Sequence, residues 1–160
     1  MLEIRQIEEL NQECVRVIRD SFITVADEMH LTRQNAPTNP AFMELEALQA
    51  MAHKGAAFYG AFHEGDLVGT VAIEKKDDDV YYMEKLAVLP ACRHLGYGAR
   101  LIRFVMDTVR DLGGKKVSIG IIEENTVLKN WYIRNGFQVK GTRQFAHLPF
   151  QVCFLERIVP

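Results

Sequence analysis

The sequence predicts a mixed α+β domain. Three observations predict this class. Strand-like runs alternate with amphipathic helical segments along the 160 residues. Three of these runs follow one another between residues 56 and 90, which indicates a succession of hairpins. Apolar residues make up 48% of the chain, enough for one sizeable core. We therefore expect a single domain over residues 1–160.

The first half of the chain predicts a strand, two helices and three further strands. The run "LEIRQI" has strand character, and helical periodicity follows from about Glu8 to Ile23. The polar loop "TRQNAPTNP" precedes a second helix over residues 41–53. Two strands in "AAFYGAFHEGDLVGTVAIEK" meet at a Glu-Gly-Asp turn, and the charged turn "KKDDD" leads to a third strand in "VYYMEKLAVLP".

The second half predicts two helices and three strands. A long helix starts in "RHLGYGARLI" and extends to about Leu112, where Gly113 and Gly114 end it. The strand "KKVSIGII" follows, then a helix in "NTVLKNWYIRNGF" and two last strands in "FQVKGTR" and "FQVCFLERI". The predicted order is β-α-α-β-β-β-α-β-α-β-β.

Charge and cysteine content exclude several classes of protein. The net charge is −2 and the basic residues are scattered, which disfavours a nucleic-acid partner. No apolar run approaches the ~20 residues of a membrane helix, so no membrane partner is expected. The N-terminus is too charged for a signal peptide. Cys14, Cys92 and Cys153 lack metal-ligand spacing, which predicts no metal site and a reducing, cytoplasmic setting.

The stretch "RHLGYGARLI" places two glycines where a helix begins. A helix start has backbone N–H groups without intrahelical partners and a partial positive charge. Gly96 and Gly98 have no Cβ to block an anion, and Arg93 and His94 supply side-chain donors. These features predict a cradle for phosphate or pyrophosphate, although an ordinary loop with two glycines is the alternative. The stretch lacks the Lys-Ser/Thr of a P-loop and the third glycine of a dinucleotide fingerprint.

Two segments together resemble the Gcn5-related N-acetyltransferase (GNAT) family. The family signature Arg/Gln-x-x-Gly-x-Gly/Ala matches Arg93 to Gly98, directly after a strand that ends in "LAVLP". A second pattern matches Asn125, Tyr132 and the pair Gly136-Phe137. The resemblance implies the GNAT fold, a central and mostly antiparallel sheet flanked by helices. Two parallel strands of that sheet, here "EKLAV" and "VSIGII", would splay apart.

The resemblance also implies a site for acetyl-CoA as co-substrate. The pantetheine arm would pair with the backbone of the first splayed strand, and the N–H near Leu86 could polarise the thioester carbonyl. Asn125 would bond to the cofactor arm, or serve as a helix N-cap, or both. The residues expected to bind the cofactor are Leu86, Ala87 and Val88 in the strand, Arg93, His94, Leu95, Gly96, Tyr97, Gly98 and Ala99 in the cradle, and Asn125.

Direct transfer of the acetyl group to an amine requires an acid and a base. Tyr132 matches the family's general acid; packing beside Trp131 is its alternative role. Glu84 is the candidate base. Strand alternation places it on one face with Leu86 and Val88, and a carboxylate on an otherwise apolar strand face indicates a function. An ion pair with a neighbouring Lys or Arg is the alternative for Glu84. Lys85 would face the other way, toward the surface or the phosphates.

Other candidates carry weaker signals. His147 is a second possible base, but a lone loop histidine is more often structural. Cys153 fits the core, and Cys92 is expected to be exposed beside the cradle. The last strand, "FQVCFLERI", is a candidate for pairing across a homodimer interface.

The expected function is N-acetyl transfer from acetyl-CoA to a small-molecule or peptide amine. The resemblance implies that residues 22–42 and 145–151 would select the acceptor. Asp27 and Glu28 suit a cationic amine there, although a solvated helix face explains them equally. A non-catalytic acyl-CoA-binding module and a dinucleotide-binding protein are the competing functions.

Overall fold

Eleven helices and strands follow one another in the predicted order. The computed structural model describes residues 1–160. The elements are β1 (Leu2–Ile7), α1 (Gln12–Glu28), α2 (Leu45–His53), β2 (Ala57–His63), β3 (Asp66–Lys75), β4 (Val80–Val88), α3 (Tyr97–Asp111), β5 (Lys116–Ile122), α4 (Thr126–Arg134), β6 (Gln138–Gln144) and β7 (Gln151–Ile158). Short 3-10 turns lie at Pro40–Phe42 and Pro90–Cys92.

All seven strands form one mixed sheet. Their order is β1-β2-β3-β4-β5-β7-β6. Every neighbouring pair is antiparallel except β4 and β5, which are parallel. The helices lie on both faces, so the α+β class and the mostly antiparallel sheet are confirmed.

Each face of the sheet has its own core. The amphipathic helix α3 covers one face and buries an apolar stripe against β3, β4 and β5: Ile102, Val105, Met106 and Val109. Helices α1 and α2 cover the other face of β2 and β3, where Val17, Ile18, Leu48 and Phe58 pack around Ala72. Strand β3 is thus covered by helices on both of its faces.

The boundaries of the first two helices differ from the predicted ones. Helix α1 begins at Gln12 because the Asn11 side chain accepts the N–H groups of Glu13 and Cys14. Before α2, the apolar residues from Pro40 to Phe42 form a 3-10 turn capped by Asn39. Residue 41 therefore belongs to this short turn and not to α2. Helical periodicity alone did not distinguish the turn from the helix.

The last strand lies inside the sheet. β7 pairs with β5 on one side and with β6 on the other. Both of its edges are hydrogen-bonded, so the expected pairing of this strand across a homodimer interface is wrong. The outer edge on this side of the sheet is β6.

The cysteines form no disulfide. Cys14 and Cys153 are buried and Cys92 is partly buried. No group of three or more potential ligands is placed to hold a metal ion. None of the helices combines the length and the apolar composition needed to cross a bilayer.

Candidate functional site

The parallel strands β4 and β5 pair over a short stretch and then part. Val80–Tyr82 pairs with Lys116–Ser118. Beyond Tyr82, β4 continues to Val88 paired only with β3, whereas β5 stays paired with β7. Residues 83–88 therefore have no strand on their β5 side. The sheet has an opening there, which we call the β4–β5 opening, and the predicted Leu86, Ala87 and Val88 lie along it.

A β-bulge at Lys85 shapes the open part of β4. Thr70 lies opposite Ala87, and Ala72 lies opposite Glu84, so two steps along β3 match three along β4. Lys85 has a φ of +53°, the left-handed region that non-glycine residues rarely adopt. An extra residue of this kind reverses which side chains face each side of the sheet.

The bulge places Glu84 on the opposite face from Leu86 and Val88, so the predicted shared face is wrong. Leu86 and Val88 pack against the core under α3. Glu84 lies opposite Ala72, which is buried under α1 and α2. Strand alternation holds only within an unbroken ladder, and the inserted residue breaks the ladder between Glu84 and Leu86.

Glu84 is partly buried and has a second carboxylate as its neighbour. Glu74 lies diagonally across the β3–β4 ladder, opposite Tyr82. Burial raises the pKa of Glu84; the charge of Lys85 lowers it, and Glu74 raises it further by charge and hydrogen bonding. The salt bridges of the protein involve other carboxylates, so the alternative of an ion pair at Glu84 is not formed.

Lys85 is partly buried, not exposed as expected. Burial lowers the pKa of its amine, and the charges of Glu84 and Glu74 oppose that change. Lys85 is thus close enough to both carboxylates for their charges to act on its amine. The α1-facing side of the β4–β5 opening therefore combines two carboxyl groups with one amine.

The cradle loop has backbone donors without acceptors. Gly96 caps α3 with a φ of +82°, and His94 also has a positive φ of 65°. The first intrahelical bond is from the Arg100 N–H to the Gly96 carbonyl. The N–H groups from His94 to Ala99 donate to no backbone carbonyl, and the first turn has no acidic residue. An anion can accept these N–H groups, as predicted for the cradle.

Arg93 differs from the other predicted cradle residues. Its backbone N–H donates to Pro90 O within the 3-10 turn. Its guanidinium donates to Val88 O at 3.3 Å, to Thr24 Oγ1 at 3.2 Å and to Ser21 O at 2.6 Å. Arg93 therefore ties α1 to the end of β4. The expectation that its side chain is a free donor at the cradle rim is wrong.

The other side chains of the cradle anchor it or stay exposed. The Tyr97 hydroxyl lies 3.3 Å from His63 Nδ1 on β2. A Cβ on Gly98 would lie 2.9 Å from Cζ2 of Trp131, so this glycine allows α3 and α4 to approach. Gly96 has no heavy atom near an added Cβ. His94 and Leu95 are exposed at the rim.

Helix α4 carries Asn125 and Tyr132. Asn125 is buried and its Oδ1 accepts the Leu128 N–H, so it is the N-cap, one of its two expected roles. Tyr132 is buried, with its ring edge-to-face against Trp131 and Phe137. Burial raises the pKa of Tyr132 and keeps the phenol protonated. Its hydroxyl has no partner among the side-chain hydrogen bonds of the protein.

A match to a family model shows to which protein family this chain belongs. The model of the "Acetyltransferase (GNAT) family" matches residues 19–137, which include the opening, the cradle and α4. This chain belongs to the GNAT family.

Relatives and solved structures agree with the GNAT assignment. Uncharacterized N-acetyltransferases of Mycobacterium tuberculosis and Mycobacterium bovis are 33% identical over 89 residues, which is 56% of this chain. The match spans 57% of the length of each relative, little more than half.

Two solved structures share the fold over nearly the whole chain. A PaiA N-acetyltransferase of Thermoplasma acidophilum with coenzyme A has a TM-score of 0.77 at 18% identity, covering 99% of both chains. A GNAT acetyltransferase of Elizabethkingia anophelis with acetyl-CoA has a TM-score of 0.68 at 13% identity, covering 98% of this chain and 97% of that one.

The remaining predicted residues of this GNAT domain lie outside the β4–β5 opening or in the core. His147 is exposed in the turn between β6 and β7, with its ring 5.9 Å from that of Phe145. Cys153 is fully buried, as predicted. Cys92 is partly buried, not fully exposed. Asp27 and Glu28 are exposed at the end of α1, which fits the solvated-face alternative.

Sequence reasoning missed a polar cluster where β5 ends. Lys129 of α4 forms an ion pair with Glu123, which lowers the pKa of that carboxyl and raises that of the amine. Glu123 Oε2 is buried without a hydrogen-bond partner. Burial raises the pKa of the Cys153 thiol, and Glu123 raises it further. The two acidic residues in "IEEN" were the available signal. Trp131, the sole tryptophan, was noted only as a neighbour of Tyr132.

Proposed function

We propose that this GNAT domain transfers the acetyl group of acetyl-CoA directly to an amine. The observation that carries the proposal is the β4–β5 opening, which leaves one edge of residues 83–88 unpaired beside a cradle of free N–H groups. Unpaired backbone groups of a strand need partners when a ligand covers them. A molecule with a peptide-like arm and a pyrophosphate satisfies both features.

The cofactor would lie along β4 with its phosphates at α3. Its pantetheine arm pairs with the backbone of Leu86, Ala87 and Val88. The pyrophosphate accepts the N–H groups from His94 to Ala99, at the positive end of the α3 dipole. Asn125 uses its Oδ1 as a cap, which leaves its amide NH2 as the group for the cofactor arm. The structures of GNAT proteins solved with CoA and acetyl-CoA support this choice of ligand.

The chemistry needs one group to take a proton and one to supply it. The amine nitrogen attacks the thioester carbonyl carbon, and the C–S bond breaks. The backbone N–H of Leu86 stabilises the negative charge that develops on the oxygen. Glu84 takes the proton from the amine, directly or through a water, and its raised pKa makes it a better base. Tyr132 protonates the leaving sulfur, since burial keeps its phenol protonated.

The bulge separates the two substrates. The cradle belongs to α3 on one face of the sheet, whereas Glu84 and Glu74 face the side of α1 and α2. The acceptor amine would therefore approach the β4–β5 opening from the α1 side. Both substrates are bound together in this arrangement, which fits direct transfer without a covalent acetyl-enzyme.

The acceptor is an amine that binds as a cation. Glu84 and Glu74 supply negative charge where the ammonium group would enter. The segment after α1 packs over the end of β5 and against Phe150 of the β6–β7 turn. These segments border the proposed acceptor side, and the acceptor is a small molecule or the amine of a peptide.

Ligand binding and turnover test the proposal. We expect acetyl-CoA and CoA to raise the melting temperature and NAD to leave it unchanged, since a ligand present at 100 times its Kd stabilises by about 2.7 kcal/mol. A panel of amines is then assayed for release of the CoA thiol. Binding of acetyl-CoA without turnover on any amine supports a non-catalytic acyl-CoA module. Stabilisation by NAD alone contradicts the proposal.

A further inference from the structure

Thr70 is a buried polar residue beside the bulge in β4. Its side chain is fully buried, on the face of β3 that α1 covers. Its Oγ1 donates a hydrogen bond to the backbone carbonyl of Lys85 at 3.0 Å. The bulge removes regular pairing at this point, because Val71 has no partner in the β3–β4 register. The Thr70 hydroxyl therefore donates to a carbonyl at the point where the regular ladder is interrupted.

This hydrogen bond fixes the direction of a whole peptide unit. The peptide between Lys85 and Leu86 is planar and trans, so its C=O and N–H point in opposite directions. The carbonyl points toward Thr70 on β3. The Leu86 N–H consequently points away from β3, toward the side on which β5 has parted. The bond from Thr70 thus orients an N–H into the β4–β5 opening.

The conformation that this bond holds is a strained one. Lys85 is not glycine, and its φ of +53° lies in the left-handed region, which is costly for a residue with a Cβ. Such a conformation persists only where neighbouring groups hold it. The Thr70 hydroxyl is a buried group in contact with this peptide, and its loss leaves the Lys85 carbonyl without that donor.

We propose that Thr70 is a positioning residue that aims the Leu86 N–H at the carbonyl oxygen of the bound thioester. The inference rests on the proposed acetyl transfer and adds to it a residue that touches neither substrate. Thr70 acts through the peptide of Lys85 and Leu86. Stabilisation of a developing oxyanion depends on donor alignment, so an N–H that rotates away loses its effect on the rate.

Three variants test this role. Thr70→Val keeps the shape and removes the hydroxyl, Thr70→Ser keeps the hydroxyl, and Thr142→Val on the exposed strand β6 is the matched control. We expect Thr70→Val to lower kcat roughly 10- to 100-fold, short of the 10²–10³ seen when a donor is removed outright. The KM for acetyl-CoA should change little, and Thr70→Ser and Thr142→Val should keep the wild-type kcat. A Thr70→Val enzyme with wild-type kcat overturns the proposal.

A measurement on the wild type covers the case in which Thr70→Val does not fold. The amide resonance of Leu86 is compared in complexes with acetyl-CoA and with CoA. We expect a downfield shift of the Leu86 amide proton with acetyl-CoA only, because only that ligand has the thioester carbonyl. The same shift with both ligands overturns the proposal. Failure of the proposed function is a separate result, in which the wild type turns over no amine.

Discussion

The guanidinium of Arg93 donates to the backbone carbonyl of Ser21 in α1 at 2.6 Å. Two further bonds, to Thr24 Oγ1 and Val88 O, complete the contact. The segment that leads into the cradle is thereby joined to α1. We therefore predict a structural role for Arg93, the first residue of the family signature, because its side chain is hydrogen-bonded within the protein.

Replacement of Arg93 tests this structural role. Arg93→Met removes three hydrogen bonds from a charged donor, and we expect the free energy of unfolding to fall by about 2–3 kcal/mol. Urea denaturation measures the change. Arg103→Met is the matched control on the exposed face of α3, with an expected change within about 0.5 kcal/mol. Unchanged stability together with lost affinity for CoA would show that Arg93 binds the phosphates directly.

A pair of glycine variants tests the cradle. Gly96 and Gly113 have similar φ values of +82° and +86°, and an added Cβ meets no heavy atom within 4 Å at either. Alanine should cost about 1 kcal/mol of stability at both positions. Only Gly96→Ala adds a methyl beside the N–H donors, so only it should weaken CoA binding, by roughly tenfold or about 1.4 kcal/mol. Calorimetric titration with CoA distinguishes them, and equal affinities would rule out Gly96 as part of the cradle.

The raised pKa of Glu84 makes stability depend on pH. The folded-state pKa lies above the ordinary value of 4.5, so the folded protein favours the protonated carboxyl. That stabilisation is complete at pH values below the pKa of Glu84 in the unfolded chain. It is lost as the pH rises through the higher pKa of Glu84 in the folded protein. Glu84→Gln does not titrate. We expect its melting temperature to exceed that of the wild type increasingly as the pH rises through this window, while its kcat/KM falls.

The exposed Glu46 on α2 is the control for Glu84. Glu46→Gln should keep the wild-type kcat/KM, and its melting temperature should follow that of the wild type across the same pH range. If Glu84→Gln retains the wild-type rate and pH profile of kcat/KM on the best amine, Glu84 is not the base.

Local patterns predicted much of the fold. The helical stripe of α3 and the alternation of hairpins depend on residues close in sequence, and these elements formed in the expected order. The Gly-x-Gly stretch predicted a helix start with free N–H groups, because that property depends only on the loop and the first turn.

Two features of the site depend on distant contacts and could not be predicted. The bulge at Lys85 adds one residue to a nine-residue strand without a glycine to mark it, and the hydroxyl that holds it comes from β3. Because of this bulge, Glu84 lies on the face of the sheet opposite to the predicted one. Two of the three guanidinium partners of Arg93 lie on α1, 69 and 72 residues away in sequence, so nothing near Arg93 indicated them.

The turnover of Tyr132→Phe at saturating acetyl-CoA tests most directly whether acetyl transfer occurs at this opening. The Tyr132 hydroxyl is the group proposed to protonate the leaving sulfur, and Tyr59→Phe on β2 is the matched control. We expect kcat to fall roughly 10²-fold in Tyr132→Phe, the usual contribution of a general acid, with CoA affinity unchanged and Tyr59→Phe at the wild-type rate. A Tyr132→Phe enzyme with the wild-type kcat on the best amine would contradict the account.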